Sequence, residues 1–395
     1  MIIKMSVYSV LILTSINPNV CATPNQLQKI PINDPYESYD SNTALIKTES
    51  SDQLISFLPY SKEMNNQTNK HNKWLLSLDG GGVRSIMQLQ IIAEIERITK
   101  KSVIDLFDAV AGTSTGAIIA CLLTMPDPDN PNKPKYSAQN LLDIITKRKA
   151  EFFKTKCLSC GGLFKTRYKT TSLKNLLVDL FGKNKLSERL LPTVIVTHNL
   201  STNEEQFISS KDNEEFFTWI ITLASSAAPT YFKPQKVIPI GAPPSHRGYV
   251  LSGGSTCMNN PAMAGISLMH DIFDVDADNL NVLSIGTGTA GITRLNKKLQ
   301  DGGILTWGFN ILNTCIAGQE SSTNKLAEFY CKDNYHRLNP ILDQCHMKFD
   351  DISGSNHDVL FAAARKCIQD NKIEINEIIR KLNYSQSSDN TKSLV

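Results

Sequence analysis

The 395-residue chain has no apolar run of about 18 residues or more, so no bilayer-spanning helix is expected. It also lacks an excess of one charge. Against 41 Lys and Arg stand 38 Asp and Glu, a net charge of +3. Nucleic-acid binding domains are usually far more basic, so no nucleic-acid partner is expected. Nine cysteines are present, but metal-ligand spacing is missing. Cys157-Leu-Ser-Cys160 is the one close pair, and neither a second pair nor two histidines at ligand spacing follows it. A loop pair, free or disulfide-bonded, is expected there rather than a zinc site. Cys121 and Cys315 lie in apolar helical contexts and read as buried thiols. No metal and no cofactor are implied.

The composition divides the chain. In residues 1–22, Lys4 precedes a short apolar run, Val7 to Ile16, and Val20-Cys21-Ala22 offers small residues at cleavage spacing. This resembles a secretory signal peptide interrupted by Asn17-Pro18-Asn19, so export is expected. The alternative is the apolar N-terminus of a cytoplasmic protein. Residues 23–70 are rich in Asn, Ser, Thr, Asp and Gln and read as a polar, partly disordered lead-in. A globular domain is expected over 71–345. Residues 346–395 read as C-terminal helices, near 358–368 and 373–382, with a polar tail.

Within the globular part, strands alternate with helices. Trp74 to Leu78, Leu106 to Ala111, Thr193 to Thr197, Tyr249 to Leu251 and Asn281 to Ile285 are short apolar runs of strand length. Gln206 to Ser209 pairs with the third of them. Helical periodicity marks Ile86 to Ile95, Ala117 to Leu123, Ala138 to Phe153, Leu173 to Phe181 and Glu214 to Ser226. The alternation predicts an α/β fold with a largely parallel sheet.

Two glycine turns each join a strand to a helix. The second is Gly112-Thr113-Ser114-Thr115-Gly116. In that context Gly-x-Ser-x-Gly is a nucleophile elbow. The glycines permit a tight turn, and the serine stands at a helix N-terminus that favours developing negative charge. A plain Gly-Ser-Thr turn in an α/β core is the bland alternative. The first turn is Asp79-Gly80-Gly81-Gly82-Val83-Arg84. As a dinucleotide loop it would need a third glycine where Ser85 stands. As a P-loop it lacks the Gly-Lys-Ser/Thr ending. As an oxyanion hole it exposes successive backbone amides, with the positive charge of Arg84 nearby. Its pairing with the elbow favours this last role.

Taken together, four segments resemble the patatin-like phospholipase family, which includes plant patatins and bacterial lipid acyl hydrolases. They are Asp79 to Arg84, Gly112 to Gly116, Ala224-Ser-Ser-Ala-Ala-Pro-Thr-Tyr-Phe232 and Asn259-Asn-Pro-Ala262. They occur in the family's order, and the likeness runs over roughly residues 73–345. It implies a three-layer α/β/α sandwich with a mainly parallel central sheet. It further implies a metal-free Ser–Asp dyad cleaving fatty acyl esters of phospholipids or other acyl lipids. By resemblance Ser114 is the nucleophile, the amides of Gly80, Gly81 and Gly82 form the oxyanion hole, and Arg84 supports it. Two residues depart from the pattern. Ser85 replaces a glycine. Ser252, in Ser252-Gly253-Gly254, occupies the place read as that of the dyad aspartate. A serine hydroxyl is no proton acceptor near neutral pH, and a missing general base costs roughly 10²–10⁴ in rate.

Asp79 and Asp108 lie near the motifs, Asp79 expected as a cap or local partner and Asp108 pointing away. His246 precedes the Ser252 strand and is read as a loop residue. Lys147 to Lys174 holds nine Lys or Arg and one Glu, interleaved with Phe152, Phe153, Leu163, Phe164 and Tyr168. That composition suits either peripheral contact with an anionic membrane or a solvated helix face followed by a loop. Two functions compete: an acyl hydrolase, and a weakened or inactive lipid-binding homologue that keeps the acyl pocket. A Ser-His-Asp α/β-hydrolase would need a His-Gly-Gly-type motif, which is absent.

Overall fold

The computed structural model describes residues 72–155, 165–290, 302–343 and 346–390. The leader, the lead-in and the Cys157/Cys160 pair lie outside the described residues. Among those described, no helix is long and apolar enough to cross a membrane.

The central strand is β1 (Lys73–Leu78), and its alternation builds both cores. Trp74, Leu76 and Leu78 belong to the core on one sheet face, while Leu75 belongs to the other. β2 (Ala109–Thr113) pairs with β1 in parallel on one side, and β7 (Leu280–Ile285) on the other. Beyond β2 lies β3 (Thr193–Asn199), and beyond β7 lies β9 (Tyr335–Leu338), both parallel. Three pairings are antiparallel: β4 (Glu204–Ser209) with β3, β6 (Tyr249–Gly253) with β3, and β5 (Gln235–Val237) with β6. A separate two-residue pair joins β8 (Thr289–Ala290) to β10 (Ile341–Leu342).

Helices cover both faces. One carries α1 (Ile86–Thr99), α2 (Thr115–Leu123), α3 (Ala138–Phe152), α4 (Thr170–Phe181), α5 (Thr218–Ser225), α8 (Gly354–Asp370) and α9 (Lys372–Asn390). The other carries α6 (Ala262–Phe273) and α7 (Ile304–Cys331). The three-layer α/β/α sandwich expected from the sequence is therefore the fold.

Several boundaries move for local reasons. Leu106 belongs to a four-residue helical turn, Val103–Leu106, whose capping box joins Ser102 and Asp105, so β2 starts later than its apolar run. α5 starts at Thr218, not Glu214. β6 continues through Ser252 to Gly253, which the sequence places in a turn. α7, 28 residues long, has no counterpart in the sequence reading.

Candidate active site

The carboxyl ends of β1, β2 and β7 meet where strand order reverses around β1, the usual ligand position in open α/β sheets. One cavity there is lined by Gly80, Gly81, Gly82, Arg84, Ser114, Ala228, Pro229, Gly253, Ser255, Thr256, Asn259 and Glu320, among others.

Ser114 sits between β2 and α2 with φ 55° and ψ −124°, a conformation side-chain-bearing residues rarely adopt. Strain of this kind costs roughly 1–3 kcal/mol and persists only where the surroundings enforce it. Its N–H donates to Ser225 Oγ at 2.8 Å, and Ser225 Oγ donates to the Val196 carbonyl at 2.7 Å. Its carbonyl accepts from the amides of Ala117 and Ile118. Gly116 lets α2 approach β1, for a Cβ there would lie 2.2 Å from the Leu78 carbonyl oxygen. Gly112 packs as closely on Ala117. The backbone of Ser114 is thus held from three sides, while its Oγ has no hydrogen-bond partner among the described residues.

The glycine loop is held through its carbonyls. Gly80 O accepts from Asn259 Nδ2 at 3.2 Å and Thr287 Oγ1 at 2.9 Å. Gly81 O accepts from Arg84 N at 3.2 Å and Arg84 Nε at 3.5 Å. In a trans peptide the N–H points opposite the carbonyl. Those bonds therefore set the directions of the Gly81 and Gly82 amides, and neither amide finds an acceptor among the described residues. Gly80 differs from the sequence expectation: its own N–H donates to the Asn259 carbonyl at 3.1 Å. Val83 N–H is likewise taken, by Phe349 O at 2.9 Å. Two amides rather than three remain for an oxyanion. Gly82 has φ +57°, and a Cβ there would sit 2.1 Å from Phe349 O, so only glycine fits. Ser85 is buried, its Oγ unpaired.

The second half of the site differs more. β2 runs along β3 at residues 193–196, and β6 continues along the same edge at 197–199. Thr113 is opposite Val196, and Gly253 is opposite Thr197. Ser114 follows Thr113, so Gly253 is its neighbour across the ladder. Ser252, opposite His198, points to the other face because strand side chains alternate. It is 2% exposed, its Oγ has no partner, and it is absent from the cavity wall. The position facing the cavity is Gly253, one residue after the one the sequence reading selects. A hydroxyl near the loop on this side is that of Ser255, whose Oγ lies 2.6 Å from where a Gly80 Cβ would stand.

The described carboxylate on this wall is Glu320 of α7. Its Oε1 accepts from Arg337 Nη2 at 2.7 Å and Asn339 Nδ2 at 3.1 Å. Arg337 also makes a two-pronged pair with Asp79, at 2.8 and 2.5 Å. Asp79 is therefore neither a cap nor a local partner but a long-range anchor at the end of β1. Burial pushes its carboxyl up to about 7, against the pull of Arg337. Asp108 accepts from Lys73 Nζ and Trp74 N, at the far end of β1. His246 accepts from Gly248 N–H at 3.0 Å and faces Glu214 at 3.7 Å, a loop residue as expected.

An apolar cavity starts on the other side of Ser114, lined by Ile118, Phe152, Phe153, Leu173, Phe232 and Phe349. A second cavity shares Gly82, Thr115, Phe152 and Phe153 with it and extends to Ile145, Ile352 and Leu360. Phe152, Phe153 and Tyr168 of the basic segment are thus core and cavity residues. Arg148 pairs with Glu151 and Asp179, and Arg167 with Asp350. The described aromatics of 147–174 do not form an outward membrane face.

Comparison with known proteins agrees. A cGAMP-activated phospholipase of Escherichia coli (strain TW11681) is 29% identical over 303 residues, covering 68% of this chain and 80% of its own length. Patatin-like protein 1 of Arabidopsis thaliana is 28% identical, covering 59% of this chain and 63% of its own length. Patatin-like protein 4 of the same plant is 26% identical, covering 76% and 75%. The loop, the elbow, Gly253 and the Asn259-Asn260 segment all fall within residues 76–266, which match the family model described as patatin-like phospholipase, and the chain carries a patatin-like phospholipase domain there.

Proposed function

We propose that this chain is a slow lipid acyl hydrolase with Ser114 as nucleophile. The observation that carries the reading is the strained elbow, which places Ser114 on one cavity wall with two unengaged loop amides and beside an apolar cavity. The acyl chain is directed toward the apolar side chains around that cavity, with the ester carbonyl at Ser114. Oγ attacks the carbonyl, and the oxyanion is met by the Gly81 and Gly82 amides and the N-terminus of α2. The alcohol portion leaves, and water hydrolyses the acyl-enzyme. No carboxylate faces Ser114 from Gly253, so the Oγ proton passes to solvent. That loss lowers the rate by roughly 10²–10⁴ relative to a complete dyad.

Glycine at the position facing Ser114 favours a second reading, a lipid-binding homologue without turnover. Fatty acid release from phospholipid vesicles separates the two. Release by the wild type that disappears in Ser114→Ala supports the hydrolase; acyl-lipid binding without release, in both proteins, supports the second. Export through residues 1–22 belongs to the same proposal. Secreted protein whose N-terminus is Thr23 would bear it out, and retention of the leader on intracellular protein would refute it.

A further inference from the structure

The N-terminal half of α7 carries no charge where an exposed helix is normally charged. From Gly302 through Gln319 the sequence has no charged residue. The 3.6-residue repeat divides this stretch into two faces. Leu312, Ile316 and Glu320 line the Ser114 cavity, with Asn313 and Ala317 beside them. On the outer side, Trp307 is 37% exposed and Ile311 47%. The same stripe continues through Cys315, Gly318 and Ser322 to Leu326 and Phe329, which are 57% and 85% exposed. Cys315, expected as a buried thiol, is in fact exposed on this stripe.

We propose that the N-terminal half of α7 is the surface by which the protein docks on a lipid bilayer. This deepens the hydrolase reading and rests on it. Two observations favour lipid over another occupant. The face adjoins the helix residues that line the Ser114 cavity, so a docked helix brings the bilayer beside that cavity. A partner helix on an apolar stripe is usually fixed by flanking charges, and this half has none. Contact is hydrophobic, as for an interfacial helix, and needs neither anionic lipid nor low salt. It replaces the basic segment 147–174 as the membrane-facing element.

The test uses the full chain and sedimentable phosphatidylcholine vesicles, at low and high salt. Wild type is expected to bind at both. Ile311→Asp, outside the cavity wall, is expected to bind roughly tenfold or more weakly. Its hydrolysis of a water-soluble short-chain ester should stay unchanged. Trp307 fluorescence is expected to be quenched by brominated lipid in the wild type, with that component missing in Trp307→Phe. Failure of the wild type to bind, binding only to anionic vesicles at low salt, or wild-type binding by Ile311→Asp would each overturn the proposal. So would a dimer, seen by sedimentation velocity, that Ile311→Asp splits, because the stripe would then pair two copies. Binding that Ile311→Asp abolishes, in a protein that releases no fatty acid, keeps the docking surface and removes the hydrolase. Ser114-dependent ester hydrolysis without vesicle binding does the reverse.

Discussion

The two halves of the cavity differ in how they are finished. At β1 and β2 every backbone group that must point somewhere is held. Ser225 fixes the elbow, and Asn259, Thr287 and Arg84 fix the loop carbonyls. At β6 the backbone presents Gly253 on the cavity wall shared with Ser114, with no side chain at all. On the proposed reading, the fold holds the Ser114 elbow and the glycine loop in place whatever residue stands at 253. The first half depends on backbone geometry that packing enforces; the second turns on the residue at one position, 253.

The largest expected effect breaks the first half. Ser114→Ala should lower fatty acid release by roughly 10³-fold or more, to background, with an unchanged melting temperature. Ser252→Asp probes the second. It places a carboxylate in a site that is 2% exposed and offers no partner, so stability should fall by about 3 kcal/mol in urea unfolding. Gly82→Ala should lower release by roughly 10²-fold, because the new Cβ meets Phe349 O and displaces an oxyanion donor. Activity should fall more than folding in that variant.

A last effect, on stability against pH, concerns Asp79. Its native pKa, raised to about 7 by burial, lies above the unfolded value near ~3.9. A raised native pKa gives stability that is complete below about 4 and lost as pH rises through 7. Wild type should therefore lose stability relative to Asp79→Asn between pH 4 and 8. A relative gain over that range would mean that the Arg337 pair outweighs burial.

Much of the first half was legible in the sequence. Gly80 to Gly82 and Gly112 to Gly116 are local motifs, because tight turns demand glycine wherever they occur. The segments that clamp them were also visible, in Ala224 to Phe232 and Asn259 to Ala262, but the roles of Ser225 and Asn259 depend on contacts between distant parts of the chain. Arg337 lies 258 residues from Asp79 with no motif around it. The position facing the cavity lies one residue past Ser252 because β6 ends at Gly253 rather than Leu251. Glycine is a weak strand former, so the run Ser252-Gly253-Gly254 looks like a turn. A one-residue difference in a strand reverses the face. α7 was missed because its charge-free half lacks the polar face that marks an amphipathic helix.

The difference between the halves turns on which residue faces Ser114. Fatty acid release by wild type, Gly253→Asp and Ser252→Asp, each normalised to folded protein, measures this directly. A Cβ at Gly253 lies 2.9 Å from Ala228 N and Cα, so Gly253→Asp must shift that turn and lose some stability. It should nevertheless release fatty acid faster than wild type, while Ser252→Asp should not. A gain in Ser252→Asp with none in Gly253→Asp would contradict the placement of Gly253 opposite the nucleophile.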